Sequence, residues 1–162
     1  MGAPQERGLW LFPAVFAVHI VEEGLAGEGF GRWIRRVSGR EIDLGTFFGV
    51  NLAFEVAMVA LVRQARRGRA AWVAPALGLI GTANGLGHLA GSALTRSYSP
   101  GVVSGAGLWA PLSLATLARS RRALPRRDRQ RGIAAGLLVT ASLVPIALSV
   151  SHRAPATRAA RP

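Results

Sequence analysis

Residues 10–27 read WLFPAVFAVHIVEEGLAG, an apolar run that carries His19, Glu22 and Glu23 inside it. On a helix His19 and Glu22 are i,i+3 and His19 and Glu23 are i,i+4, so one face can present an imidazole and a carboxylate together. That is a spacing at which both can bind one metal ion. Two later apolar runs carry similar pairs, Asn51 with Glu55 and Asn84 with His88. Ionisable groups in such runs are costly unless they face an interior and are paired. Every arginine falls at the end of a run, so none stands among these carboxylates as a counter-ion. A divalent cation, or two, is the simplest compensation. We therefore expect His19, Glu23, Glu55 and His88 as metal ligands, with Asn51 and Asn84 orienting them. Glu22 lies off the His19–Glu23 line and is expected to act as a base, to join the ligands or to point at headgroups. The metal-free alternative is a hydrogen-bonded network of protonated glutamates.

These groups need helices to position them, and the chain divides into five apolar runs. They cover about residues 8–26, 44–62, 70–94, 102–118 and 133–150. The second is long enough to cross a hydrocarbon core of about 30 Å. Between the first two, residues 28–43 place Phe30, Trp33, Ile34 and Val37 at i, i+3, i+4, i+7, which predicts a short helix lying in the headgroup plane. The third run has the small-residue spacings Gly81/Gly85 and Gly87/Gly91, which let helix backbones approach closely in lipid. Pro111 predicts a kink in the fourth run. Residues 63–69 and 119–131 are arginine-rich connections, and Tyr98 in the 95–101 turn is expected as an interfacial aromatic. The first run is expected to be retained rather than to be a cleaved leader, because HIVEE stands where small residues should prepare cleavage.

Composition agrees with this. The chain has 162 residues, is half apolar, carries 20 arginines and no lysine, and has a net charge of +12. Basic residues clustered between apolar runs fit a multi-pass membrane protein facing anionic headgroups, not a nucleic-acid binder. With no cysteine, thiolate zinc sites, disulfides and redox pairs are excluded, and the donors present suit zinc, iron or manganese rather than copper(I). Arginines on alternate connections total twelve, with Arg7, against eight, which places the N-terminus in the cytoplasm of a bacterial-type plasma membrane.

HIVEE, the NGLGH run holding Asn84 and His88, and Pro100-Gly101 after Tyr98 resemble the HXXEE-domain family of small multi-pass membrane proteins. The matching residues are His19, Glu22, Glu23, His88, Pro100 and Gly101, within about residues 9–118. The resemblance implies a membrane-embedded, metal-binding site and names no substrate. Glu55 rests on the physical argument alone.

The expected fold is all-α: one domain over residues 1–151, with five transmembrane helices and a short interfacial helix, then a flexible tail, 152–162, in which His152 is inert. The expected function is a metal-dependent enzyme acting on a lipid-like or apolar substrate. A zinc site would activate water with a free glutamate as base, and a di-iron site would do oxygen chemistry. The rivals are a metal-free structural or partner-binding membrane subunit and an ion carrier. The oligomeric state is not legible.

Overall fold

The computed structural model describes residues 8–153, and these are almost entirely helical. Helix α1 is Leu11–Leu25. After a turn at Gly29, α2 spans Phe30–Ser38 and stops at Gly39 in the left-handed conformation. The two-residue strand β1, Arg40–Glu41, leads to α3, Leu44–Arg66. Asp43 caps α3, accepting from the Thr46 amide at 2.9 Å and the Thr46 hydroxyl at 2.6 Å; these bonds hold its carboxyl below the ordinary aspartate range. Helix α4 is Val73–Thr95. Helix α5 begins at Val102–Ser104, passes through a π-helical turn, Gly105–Trp109, and continues as Ala110–Ala123. Helix α6 is Arg126–Val150, and strand β2, His152–Arg153, pairs antiparallel with β1.

Consecutive long helices run antiparallel. Arg66, at the end of α3, sits 6.0 Å from the Trp10 ring beside the start of α1, and Arg131 of α6 lies 5.7 Å from the Trp72 ring before α4. At the opposite end Arg36 of α2 donates to Ser97 after α4, at 3.0 Å, and Arg40 donates to Ser151 after α6, at 2.6 Å. Helix α4 packs along both α5 and α6, whereas α1 packs on α3 and on the first turns of α5. The α4–α5 seam depends on absent side chains. A Cβ at Gly81 would collide with Trp109 and Ser113, and one at Gly85 would lie 2.5 Å from the Gly105 carbonyl oxygen. Phe12, Phe16, Met58, Val62 and Trp109 fill the centre.

The structure departs from the sequence reading at several places. Arginine is a good helix former, so the expected connection 119–131 is mostly helix and the true turn is Leu124–Pro125. Pro111 produces a π-turn in place of a simple kink: its missing N–H leaves the carbonyl four residues back without its usual donor, and the wider turn absorbs this. The expected interfacial segment 28–43 is helical only over Phe30–Ser38. His152 and Arg153, assigned to the tail, lie against Arg40 and Glu41; the remaining tail, 154–162, and Arg7 lie outside the described residues. Among the described residues two helices, α3 and α6, are long and apolar enough to cross a membrane, where five were expected. Helix α1 has 15 residues, a rise of about 22 Å.

Candidate metal centre

The HIVEE segment sits in the second half of α1, where the helix turns one face to the start of α5 and to α4. His19 is fully enclosed, and Glu23 and His88 are each 8% exposed. The His19 Nε2 and Glu23 Oε2 atoms are 3.7 Å apart, and the His88 Nε2 and Glu23 Oε1 atoms are also 3.7 Å apart. These separations exceed those of hydrogen bonds. His19 Nε2 has no hydrogen-bond partner although it is buried. The ligand atoms of His19, Glu23 and His88 all lie within 4.8 Å of one another, so the group could hold a metal ion. On one zinc or iron ion such atoms stand about 3–3.5 Å apart, close to the two imidazole–carboxylate separations of 3.7 Å.

The far side of each imidazole is held by a serine. His19 Nδ1 is 3.0 Å from Ser104 Oγ, and His88 Nδ1 is 3.3 Å from Ser99 Oγ. With Nδ1–H donating to the serine oxygen, Nε2 keeps its lone pair for an ion. The rings meet edge to face, with centroids 4.9 Å apart, and Trp109 packs at the same distance from His19. Gly101 lies against both rings: a Cβ there would come within 2.7 Å of His19 Cε1 and 2.9 Å of His88 Cε1, and its φ of +90° disfavours any side chain. The Pro100-Gly101 turn is thus a wall of the site.

Glu22 is placed differently from the expected base. Its Oε1 accepts from the Tyr98 hydroxyl at 2.6 Å and from the Val103 amide at 2.9 Å; its Oε2 accepts from the Ser104 amide at 2.6 Å. Three donors commit the carboxylate to capping α5, where free N–H groups and the helix dipole favour an anion. Partial burial and the Glu22 carboxylate push the Tyr98 phenol up to about 12, so Tyr98 is a clamp on Glu22 and not only an interfacial aromatic.

Glu55 falls outside the three-residue group, and its Oε2 has no hydrogen-bond partner. Helix α3 meets α1 beside Glu55 through Phe54, whose ring stands edge-on to Phe16 at 5.1 Å. Asn51 donates to the Phe47 carbonyl at 2.9 Å, within its own helix. Asn84 does not hold His88; Ser99 does. Gly101 was singled out from sequence as part of the proline-glycine turn, but Ser99 and Ser104 were not. The available signal was their position, since both flank that turn. With Glu22 and Glu55 both elsewhere, the group offers ligands for one ion, not a bridged pair.

Glu23 and His88 also line a cavity of about 430 Å³ walled by α2, α3, α4 and α6. Among the described residues the arginine ion pairs, Arg35–Glu41 and Arg36–Glu28, are outside the centre. Comparison with curated proteins and with solved structures gives no match. The family model for a protein of unknown function with an HXXEE motif matches residues 10–116, and the residues that give that motif its name, His19, Glu22 and Glu23, are those that build the centre and cap the helix beside it: the chain belongs to the HXXEE family.

Proposed function

We propose that this protein is a multi-pass integral membrane enzyme that binds one divalent zinc or iron ion through His19, Glu23 and His88 and acts on a lipid-like or apolar substrate. The observation that carries the reading is the convergence of two serine-anchored imidazoles on one buried carboxylate at distances too long for hydrogen bonds. A closed hydrogen-bond network would have drawn these atoms together and left no buried imidazole nitrogen without a partner. Two nitrogens and one oxygen make a three-ligand set of the kind that leaves further positions open for chemistry. Bound there, the ion would supply Lewis acidity or an activated water.

The chain's own residues do the rest. Ser99 and Ser104 fix the rings, Gly101 and Trp109 close the side away from the cavity, and Glu22 holds the α5 terminus against α1. The membrane setting is supported by the two helices of spanning length and by exposed apolar side chains on all five long helices, among them Leu25, Leu52, Leu94, Val103 and Leu138. An ion carrier is less well supported, because the ionisable groups of the centre do not continue as a path along α5 or α6.

Elemental analysis of detergent-purified protein tests the reading. Wild type and Glu55→Gln should carry close to one equivalent of zinc or iron, and His88→Ala and Glu23→Gln should carry little. Chelator should lower the Tm of wild type and barely change that of His88→Ala. Metal-free wild type that stays metal-free after incubation with zinc and with ferrous iron, and melts independently of chelator, would sink the proposal in favour of a structural membrane subunit.

A further inference from the structure

The cavity beside the metal centre has a lining that the metal reading does not use. Its apolar wall comes from Phe30 and Ile34 of α2, Phe47 and Val50 of α3, and Leu143 and Ile146 of α6. Helices α3 and α6 scarcely touch each other, and the cavity fills the gap between them. They are also the two helices of membrane-spanning length. At one end the gap is strapped. Arg40 donates to the Leu148 carbonyl at 3.0 Å and to the Ser151 carbonyl at 2.9 Å, and β1 pairs with β2.

Three buried polar atoms in this lining have no hydrogen-bond partner: Trp33 Nε1, Asn84 Oδ1 and Thr140 Oγ1. They belong to three different helices, and together they comprise a donor, an acceptor and a hydroxyl. Buried polar groups are rarely left unpaired, and three around one cavity point to a ligand that pairs with them. No arginine lines the cavity, and its one ionisable acid is Glu23, so nothing there favours an anionic headgroup.

We infer that this cavity is the binding site for a single-chain amphiphile with a neutral head that both donates and accepts hydrogen bonds, such as a hydroxyl or an amide. The chain lies between α3 and α6, reached laterally from the bilayer, and the head sits within reach of Asn84 and Glu23. This names the substrate class of the metal centre and rests on that reading for its setting, but the pocket itself needs no metal.

The test uses full-length protein in phosphatidylcholine vesicles and Trp33 as the reporter. The probe is a long-chain primary alcohol dibrominated in its chain, added to metal-loaded and to chelator-treated protein. Trp10 and Trp72 are at the far end of the bundle, and Trp109 is enclosed. In wild type the probe should quench fluorescence saturably in both preparations, with relief by unbrominated alcohol. Trp33→Phe should lack the saturable component. Gly87 borders the cavity and a Cβ there meets open space, so Gly87→Phe should fill the site without displacing a neighbour. Ala147 lines the cavity from α6, and Ala147→Phe narrows it from that side. Both should abolish saturable quenching while keeping wild-type metal content. Asn84→Leu should weaken binding about tenfold, as expected for one lost hydrogen bond to a buried partner. The inference is overturned if quenching never saturates, if the two filled variants bind like wild type, or if the brominated alkane or carboxylate of equal length binds as well as the alcohol. Saturable binding without metal in any preparation would remove the metal reading alone; metal without saturable binding would remove this inference alone.

Discussion

Adjacent glutamates in HIVEE do opposite work. Glu23 turns toward two imidazoles in a closed space, whereas Glu22, one position earlier and so rotated about 100° around the helix, reaches the N-terminus of α5. The chain has a single tyrosine, so an absorbance titration reads Tyr98 alone. Its phenol should stay protonated well past the ordinary tyrosine value of 10.0, toward 12. A phenol harder to ionise in the fold than in the unfolded chain makes the unfolded state lose its proton first. Stability should therefore fall as pH rises from about 10 to about 12. In Glu22→Gln the anion is gone and the hydrogen bond is weaker, so Tyr98 should ionise at lower pH. An unchanged titration would mean that the Tyr98–Glu22 bond contributes nothing in solution.

At the scale of elements, α4 is the helix along which α5 and α6 pack, and its glycines are not equivalent. Gly81 faces Trp109 and Ser113 with no room for a Cβ, whereas Gly87 faces open space. The same substitution at the two positions should therefore separate packing from propensity. Gly81→Leu should lower the Tm sharply or prevent folding, because a close helix–helix seam cannot accept the added volume. Gly87→Leu should melt at or above wild type, since a glycine in a helix interior is destabilising by about 0.5–1 kcal/mol relative to alanine. Equal losses at both positions would show that the α4–α5 seam is not as close as described.

At the scale of the molecule, arginine marks one end. The turn after α3 and the α5–α6 turn, with the flanking helix ends, hold Arg63, Arg66, Arg67, Arg69 and the seven arginines from Arg119 to Arg131. The antiparallel arrangement puts all of these on one side and Arg32, Arg35, Arg36, Arg40, Arg96 and Arg153 on the other. In a membrane, the richer end should face the cytoplasm. Reporter fusions at Gly68 and Arg126 should read cytoplasmic, and fusions at Ser38 and Ser97 should read outside. Gly68 and Ser97 on the same side would break the alternation and with it the multi-pass reading.

The helical runs and the grouping of His19, Glu23 and His88 were legible in the chain, because apolar periodicity and misplaced ionisable groups are local signals. The family resemblance rested on the same residues. The roles of Glu22 and Glu55 were not legible. Both are acids inside apolar runs, and only the rotation of α1 against α5, and of α3 against α1, decides that one caps a helix and the other stands apart. Ser99 and Ser104 are ordinary turn and helix residues in sequence, and Gly101 is marked only as part of a turn. They become part of the centre because the α4–α5 turn folds back over α1, placing hydroxyls behind two rings whose own positions lie 69 residues apart in the chain. Tertiary structure also decided the cavity: α3 and α6 are joined to their neighbours but not to each other, and no local pattern records a gap between two helices.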